Sequence, residues 1–233
     1  ITSLKYDTIN TMNIHPFFMT FIELLIVLTF FVFPSFSSKH QSFISFSNMI
    51  IAIIFSIFST LCILLLHKKR NFWMYIHTKS TISLKKILFG ISTLLLLIAS
   101  SFLFSLFAKG KVIITIEHVS HWHHYGIILI WIFFLSLFEE SLYRFYIPDT
   151  ILQLLMFFPQ KKQAAVHHFF YYGIPILLFS FAHYYNGVYG IIFAGFSCIF
   201  FFLLKNKYNS LMLNSLVHCA YNVISIYLIQ KTI

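Results

Sequence analysis

The sequence predicts an all-α protein, a polytopic bundle of transmembrane helices. Hydrophobic residues make up 59% of the 233 residues and charged residues only 9%, whereas ordinary soluble domains have about 45–50% and about 25%. Too few polar side chains are present to cover a water-facing surface, and the apolar content is too high for a disordered chain. The apolar residues also fall into runs of about 20, the length of a helix that crosses a bilayer.

Seven apolar runs are predicted to span the membrane, and together they form one integral membrane domain over residues 1–233. In chain order the runs are 16–36, 43–66, 87–108, 127–147, 169–185, 188–204 and 210–229. The first run has no obvious secretory cleavage site after it and is therefore interpreted as a span. The fourth is expected to stop at Pro148. A shorter run, 151–158, either extends the fourth helix beyond a kink at Pro148 or lies at the interface.

The charge distribution predicts the orientation. The chain carries 16 Lys and Arg residues against 6 Asp and Glu, but the cations lie between apolar runs, which favours cytoplasmic loops beside lipid headgroups over a nucleic-acid partner. With the N-terminus in the cytoplasm, eleven of these cations are inside and four outside, and Arg144 lies within a span and is not counted. Segment 71–83, with aromatics at 72, 73 and 75, is predicted to be an interfacial amphipathic helix.

Ionisable residues at bilayer depth are functional candidates, because inserting each one costs at least about 2.5–3.5 kcal/mol. Glu139 and Glu140 lie near the middle of the fourth run, and Arg144 follows in the same helix. Glu140 and Arg144 are four residues apart, so they can pair as a structural clamp. Glu139 points about 100° away and is therefore the candidate general base. Glu23, in the first run, either snorkels to the interface or has a catalytic or ion-relay role.

Two later runs each bring a histidine to depth, with a second side chain one turn away. Phe179 precedes His183 by four residues and can exclude water from it, and Asn222 follows His218 by four and can orient a substrate or stabilise an oxyanion. Each histidine could instead be a hydrogen-bonded core residue. The concentration of a Glu pair, an Arg, two His and an Asn on three helices favours a shared site.

These residues carry a family resemblance. Read as Glu139-Glu140-xxx-Arg144, Phe179-xxx-His183 and His218-xxx-Asn222, they are similar in order and spacing to the EExxxR, FxxxH and HxxxN motifs of the CAAX-prenyl-endopeptidase and bacteriocin-processing (CPBP, or Abi) intramembrane proteases. The resemblance covers residues 127–229, the expected catalytic core. Phe145 stands where a Gly is common in the family.

The resemblance implies hydrolysis of peptide bonds in a membrane-associated protein or peptide substrate. Carried over, Glu139 activates water, His183 helps to position it, and His218 with Asn222 stabilises the oxyanion. Glu140 and Arg144 brace the site, and Phe179 supports it. The resemblance also implies a prokaryotic plasma membrane, with the lipid bilayer as the protein's surroundings. It leaves the substrate open among a prenylated C-terminus, a bacteriocin leader and a sorting segment.

The cofactor stays open between none and a single divalent metal such as Zn. Glu139, His183 and His218 supply the two-histidine, one-carboxylate set of a catalytic zinc site. No HExxH motif is present, and Asn222 suits an oxyanion role, which favours a metal-free mechanism slightly. A second possible metal site is the histidine-rich segment 117–124, for which a solvated interfacial loop is the alternative.

Two rival functions remain at this stage. The same fold could be a non-catalytic immunity or scaffold protein that binds a peptide without cutting it. Glu139 and the histidines could also form the relay of a proton-coupled transporter.

Overall fold

The computed structural model describes residues 14–32, 46–68, 83–107, 122–157 and 164–232. Within these residues the chain forms no strand and seven helical rods, where a rod is a stretch of helix that can contain more than one α-helix joined by a π-helical segment. The all-α fold class is therefore confirmed. The α-helices are α1 (Ile14–Val27), α2 (Phe46–Lys68), α3 (Leu84–Phe107), α4 (Trp122–Glu140), α5 (Ile147–Met156), α6 (Ala164–His168), α7 (Ile174–Ala182), α8 (Gly187–Tyr208) and α9 (Leu211–Thr232).

Four helical stretches in the described residues are long and apolar enough to cross a membrane. They are Asn48–Leu66, Leu84–Phe104, Tyr125–Met156 and Tyr184–Tyr208, and two shorter apolar helices cover Pro16–Val32 and Val166–Ala182. Large apolar side chains such as Ile51, Leu65 and Phe102 are exposed on the outside of the bundle. Since exposed apolar patches of this extent are rare on soluble monomers, the chain is an integral membrane protein.

The fourth helix does not stop at Pro148, and the prediction of its end was wrong. Its helical path continues from Tyr125 to Met156, so the run after Pro148 extends the helix. A π-helical segment, Ser141–Tyr146, joins α4 to α5. Proline lacks an N–H and its ring collides with the carbonyl four residues earlier. The wider π turn just before Pro148 lets the helix pass this proline without ending.

A π-helical segment is also present in two other helical stretches. The π-helical segments Leu28–Val32 and Phe169–Gly173 continue α1 and join α6 to α7. Like Ser141–Tyr146, each is followed two residues later by a proline, Pro34 and Pro175 respectively. Prolines therefore mark where these helices widen, a feature that is frequent near functional sites.

Helix α4 lies at the centre of the bundle, between α2 and α9. On the far side of α9, α3 packs against both α9 and α8, while α8 packs on α7, and α1 packs on α5. The main core joins α1, α5, α7, α8 and the segment Ser141–Tyr146, with Val27, Tyr146, Phe179 and Cys198 among its buried members. These contacts bring the end of α4 next to α7, α8 and α9.

The turn between α7 and α8 is short and glycine-dependent. A single 3-10 turn, Tyr184–Asn186, follows α7, and Gly187 then reverses the chain with a φ of 74°, which favours glycine. The two helices cross so closely that a Cβ atom on Gly195 would lie 2.5 Å from the Ser180 hydroxyl. His183, at the end of α7, is thereby held against the interior.

An ion pair between a buried lysine and a partly buried aspartate lies away from the motif residues. Lys205 in α8 donates a hydrogen bond from Nζ to the Tyr171 hydroxyl at 2.6 Å, and the same nitrogen is 3.5 Å from Asp149 Oδ1. This contact ties the end of α8 to the start of α5. The interfacial helix predicted at 71–83 and the histidine-rich segment 117–124 lie outside the described residues, apart from Ser83 and the first turn of α4.

Candidate active site

Glu139 and Glu140 are the last two residues of α4, immediately before the π-helical segment. Glu140 is completely buried, whereas the side chain of Glu139 is 17% exposed. The difference follows from the turn of about 100° between successive helical residues, which aims the two carboxylates in different directions. Only Glu139 is open to a small molecule such as water.

The buried carboxylate of Glu140 has partners on two helices. Its Oε2 atom lies 3.4 Å from Arg144 Nε. The same oxygen accepts a hydrogen bond from Asn214 Nδ2 at 3.2 Å, and Oε1 accepts one from His218 Nδ1 at 2.8 Å. Glu140 thus connects α4 to α9 in addition to pairing with Arg144 in its own chain segment.

Arg144 is also completely buried, and aromatic rings enclose it. The centre of its guanidinium lies 3.9 Å from the Phe179 ring centroid and 5.0 Å from that of Phe201. Among the described residues, no acceptor meets its nitrogen atoms in hydrogen-bond geometry. The charge of Glu140 and the faces of the two rings therefore hold this cation.

His218 lies between the two glutamates. Its Nδ1 faces Glu140, and its Nε2 is 3.5 Å from Glu139 Oε2. The shorter contact fixes a proton on the Nδ1 side of the ring, because a carboxylate can only accept. At the longer separation, Nε2 and the Glu139 carboxylate are near neighbours without a short hydrogen bond between them.

His183 stands at the end of α7, where its ring is fixed by its own helix. Its Nδ1 is 2.8 Å from the carbonyl oxygen of Phe179, so Nε2 remains available to the site. The Phe179 ring lies 4.5 Å from the His183 ring and 6.2 Å from the His218 ring, centroid to centroid. Phe179 therefore packs between the two imidazoles and the guanidinium of Arg144.

Asn222 lies one turn beyond His218 on α9 and faces α4. Its Nδ2 donates to the Ser136 hydroxyl over 3.5 Å, a long hydrogen bond. Ser136 is one turn before Glu140. The Asn222–Ser136 contact therefore lies one helical turn away from the Glu140–His218 contact. The Asn222 amide is close to the site, and the hydrogen bond that holds it is long.

The residue types fit a divalent metal better than their arrangement does. Glu139 and His218 provide a carboxylate oxygen and an imidazole nitrogen 3.5 Å apart. A catalytic zinc site needs a third protein ligand, yet within the described ranges no three His, Cys, Asp or Glu side chains are grouped to hold an ion. The arrangement of these described side chains therefore does not provide the ligand set of a catalytic zinc ion.

Sequence reasoning missed three residues around this site: Ser136, Phe201 and Asn214. One signal for Asn214 was present, because Asn214, His218 and Asn222 are spaced by four and share one helix face. Phe201 could not be found by spacing, because it lies on α8 whereas His218 lies on α9. The centroids of their two rings are 4.6 Å apart.

Glu23 does not join the motif residues in the contacts described above. It accepts a hydrogen bond from the Tyr146 hydroxyl at 2.9 Å. This contact attaches α1 to the end of the π-helical segment that carries Arg144. Glu23 therefore lies beside the segment that supports the site.

Part of the chain matches a known family model. Residues 121–224, from the start of α4 to beyond Asn222, match the family model described as type II CAAX prenyl endopeptidase Rce1-like. The match confirms the CPBP resemblance drawn from the three motifs. Neither a curated protein nor a solved structure matches the chain.

Proposed function

We propose that this protein is an intramembrane endopeptidase of the CAAX-protease and bacteriocin-processing type. Its substrate is a protein or peptide associated with the membrane. The observation that carries the proposal is the meeting of Glu139 and His218, from different helices, at 3.5 Å inside the family-matched segment. A partly exposed carboxylate next to a fixed imidazole is an arrangement suited to general acid–base hydrolysis.

The first step is attack by water. Glu139 accepts a proton from a water molecule, and the oxygen of that water forms a bond to the carbonyl carbon of the scissile peptide. His183 helps to position the water through Nε2, because its Nδ1 is engaged by the Phe179 carbonyl. The carbonyl oxygen becomes an oxyanion as its π bond to carbon opens.

The second step is collapse of the tetrahedral intermediate. When His218 carries both ring protons, Nδ1–H donates to Glu140 and Nε2–H is free to donate to the oxyanion. The Asn222 amide supplies a second donor. The carbon–nitrogen bond then breaks, the carbonyl re-forms, and the leaving amine takes the proton held by Glu139. Glu139 is thereby returned to its carboxylate form.

Buried contacts keep these groups in place during the reaction. Glu140 holds His218 at 2.8 Å, and Arg144 offsets the charge of Glu140. A site fixed before substrate binds lowers the cost of reorganisation in the transition state. Glu140, Arg144 and Phe179 are therefore positioning residues in this proposal.

The test is peptide cleavage by the purified protein reconstituted in liposomes, using a fluorogenic peptide library. Glu139→Gln should lower the cleavage rate by about 10²–10⁴-fold, the range for loss of a general base. His183→Ala and His218→Ala should abolish detectable cleavage. Ser141→Ala is the matched control, since its buried hydroxyl bonds only the Leu137 carbonyl of the same helix. Full activity in all three site variants would refute the assignment.

The same preparation separates the rival functions. A scaffold or immunity protein would bind peptides without product, and a proton-coupled transporter would give pH-driven flux in liposomes without proteolysis. Elemental analysis and a chelator series on the active protein decide the metal question. We expect cleavage to survive chelation, because Glu139 and the two histidines form no three-ligand group.

A further inference from the structure

We infer that Asn214, which lies outside the three family motifs, is a positioning residue that fixes the orientation of His218 through Glu140. The inference rests on the proposed function, because His218 has its catalytic role only there. Asn214 and Glu140 are both completely buried, on α9 and α4 respectively.

The first step of the argument is the geometry of the amide. Asn214 Nδ2 donates to Glu140 Oε2 at 3.2 Å and to the carbonyl oxygen of Phe201 at 3.0 Å. Both neighbours are acceptors, so the amide must turn its nitrogen toward them, and both of its N–H bonds are then used. A single side chain thus joins α9, α4 and α8.

The second step is the effect on Glu140. Asn214 and Arg144 both contact Oε2, which leaves Oε1 for His218 Nδ1. A carboxylate fixed at one oxygen cannot rotate without breaking these contacts. Its other oxygen therefore has one direction in which to accept from the imidazole.

The third step is the effect on His218. Its Nδ1 is held by Glu140, and its ring packs on Phe201 at 4.6 Å with an angle of 32° between the planes. Phe201 thus has two contacts at this site. Its ring packs on the imidazole of His218, and its backbone carbonyl oxygen accepts the hydrogen bond from Asn214. The remaining ring nitrogen, Nε2, is directed at Glu139. Removing the Asn214 amide frees Glu140 to turn, and His218 then loses its alignment.

The experiment is steady-state cleavage by the full-length protein in liposomes. Asn214→Leu keeps a side chain of similar size and removes both donors. We expect kcat to fall by about 10²-fold, the loss that a misplacement of about 1 Å can cause, with KM unchanged. Ser215→Ala is the matched control, since this neighbouring hydroxyl is also buried but bonds only the Leu211 carbonyl of its own helix. It should leave kcat unchanged.

A double-mutant cycle tests whether Asn214 acts through Glu140. A glutamine at 140 puts an NH2 group, which cannot accept, in the place of one carboxylate oxygen, so Asn214 and His218 no longer each face an acceptor oxygen. In the Glu140→Gln background, Asn214→Leu should therefore lower kcat little further. Full kcat in Asn214→Leu, a change in KM alone, or the same fold-loss in both backgrounds would overturn the inference.

A second measurement covers the case in which Asn214→Leu does not fold or the wild type cleaves none of the peptides. In protein labelled with ¹⁵N at the histidine rings, His218 should show a proton on Nδ1 that exchanges slowly. Asn214→Asp, which places an acceptor against Glu140, should speed that exchange. An unprotonated Nδ1 in the wild type, or an exchange rate that Asn214→Asp leaves unchanged, contradicts the inference. Slow exchange without any peptidase activity would refute the proposed function alone.

Discussion

A completely buried glutamate is stable only when its charge is offset and its oxygen atoms are hydrogen-bonded. Glu140 meets both conditions with Arg144, His218 and Asn214. Arg144 differs from Glu140 because no acceptor among the described residues hydrogen-bonds its nitrogen atoms. Its charge is offset mainly by Glu140 and by the faces of Phe179 and Phe201. Loss of the arginine therefore leaves an uncompensated anion, although the remaining hydrogen bonds to Glu140 persist.

The pair predicts a specific pattern of stability. Arg144→Ala should destabilise the protein by about 3–5 kcal/mol, the range for removing one partner of a buried ion pair. Arg144→Met removes the charge but keeps an unbranched side chain beside Phe179. The combination of Arg144→Met with Glu140→Gln removes both charges and should recover part of the loss. Thermal unfolding in detergent measures all three, and equal unfolding temperatures for the single and combined variants would count against the pairing.

The weak contact of Asn222 predicts a separation between stability and catalysis. Its hydrogen bond to Ser136 is long, at 3.5 Å, so Asn222→Ala should change the unfolding temperature little. Loss of an oxyanion donor should nevertheless lower kcat by about 10²–10³-fold. Ser136→Ala is the control, and it should keep most of the activity. Wild-type kcat in Asn222→Ala would remove this residue from the oxyanion site.

Local spacing predicted some side-chain relations and could not predict others. Glu140 and Arg144 are four residues apart, and helix geometry was sufficient to pair them and to separate Glu139 from both. The contact between Glu140 and Asn214 joins residues 74 positions apart. No periodicity within one helix contains that information, because it depends on how α4 and α9 dock.

At the scale of helices, the crossing of α7 and α8 holds His183 in place. Ser180 donates to the Ile176 carbonyl at 2.7 Å, and its hydroxyl occupies the space that a side chain on Gly195 would need. The two helices can approach this closely only because Gly195 has no Cβ. Small residues commonly permit such close packing in membranes.

The crossing predicts a compensating pair of substitutions. Gly195→Ala should destabilise the protein by about 1–3 kcal/mol through overpacking. Ser180→Ala removes the obstructing hydroxyl and should relieve most of that loss when the two are combined. Gly126→Ala is the control, since nothing lies within 4 Å of the added Cβ. Thermal unfolding measures the set, and an additive loss in the double variant would contradict the close approach.

The helices themselves were predictable from apolar runs, but their local widening was not. Residues on both sides of Ser141–Tyr146 keep right-handed helical angles, with φ −65° at Glu140 and −61° at Ile147. An apolar run therefore looks the same in sequence whether its turns are α or π. Pro148 alone is consistent with either a stop or an extension beyond a kink, and only the packing of the helix decides that the extension is what forms.

At the scale of the whole molecule, α1 lies outside the family-matched segment. It nevertheless contacts the π-helical segment Ser141–Tyr146, which carries Arg144. Tyr146→Phe removes the hydroxyl that reaches Glu23 at 2.9 Å. We expect a loss of about 1.5–3 kcal/mol, the range for a hydrogen bond to a charged group. Thermal unfolding measures this loss, and Tyr125→Phe, at an exposed ring near the start of α4, is the control. Equal unfolding temperatures for the two variants would mean that this contact does not stabilise the docking of α1.

The orientation in the membrane remains a prediction from the cations. A cysteine placed at Ser80 should react with an impermeant thiol reagent only after cells are opened, because the segment around it carries the cytoplasmic excess of Lys and Arg. A cysteine at Ser120 should react in intact cells. A variant in which the native cysteines 62, 198 and 219 are replaced provides the background. The reverse pattern of labelling would invert the topology.

The π-helical segment Ser141–Tyr146 also has a consequence for chain length. A π turn holds one more residue than an α turn, so it corresponds to a one-residue insertion that the helix has absorbed. Deleting one residue there would restore a regular helix. The residues after it would keep nearly the same height in the bilayer and the same orientation relative to Glu139, because the wider turn had absorbed the extra residue. A chain that lacks this residue would therefore present the same side chains to α8 and α1. Deleting one residue from a regular turn of α4 would instead rotate every residue after it by about 100°.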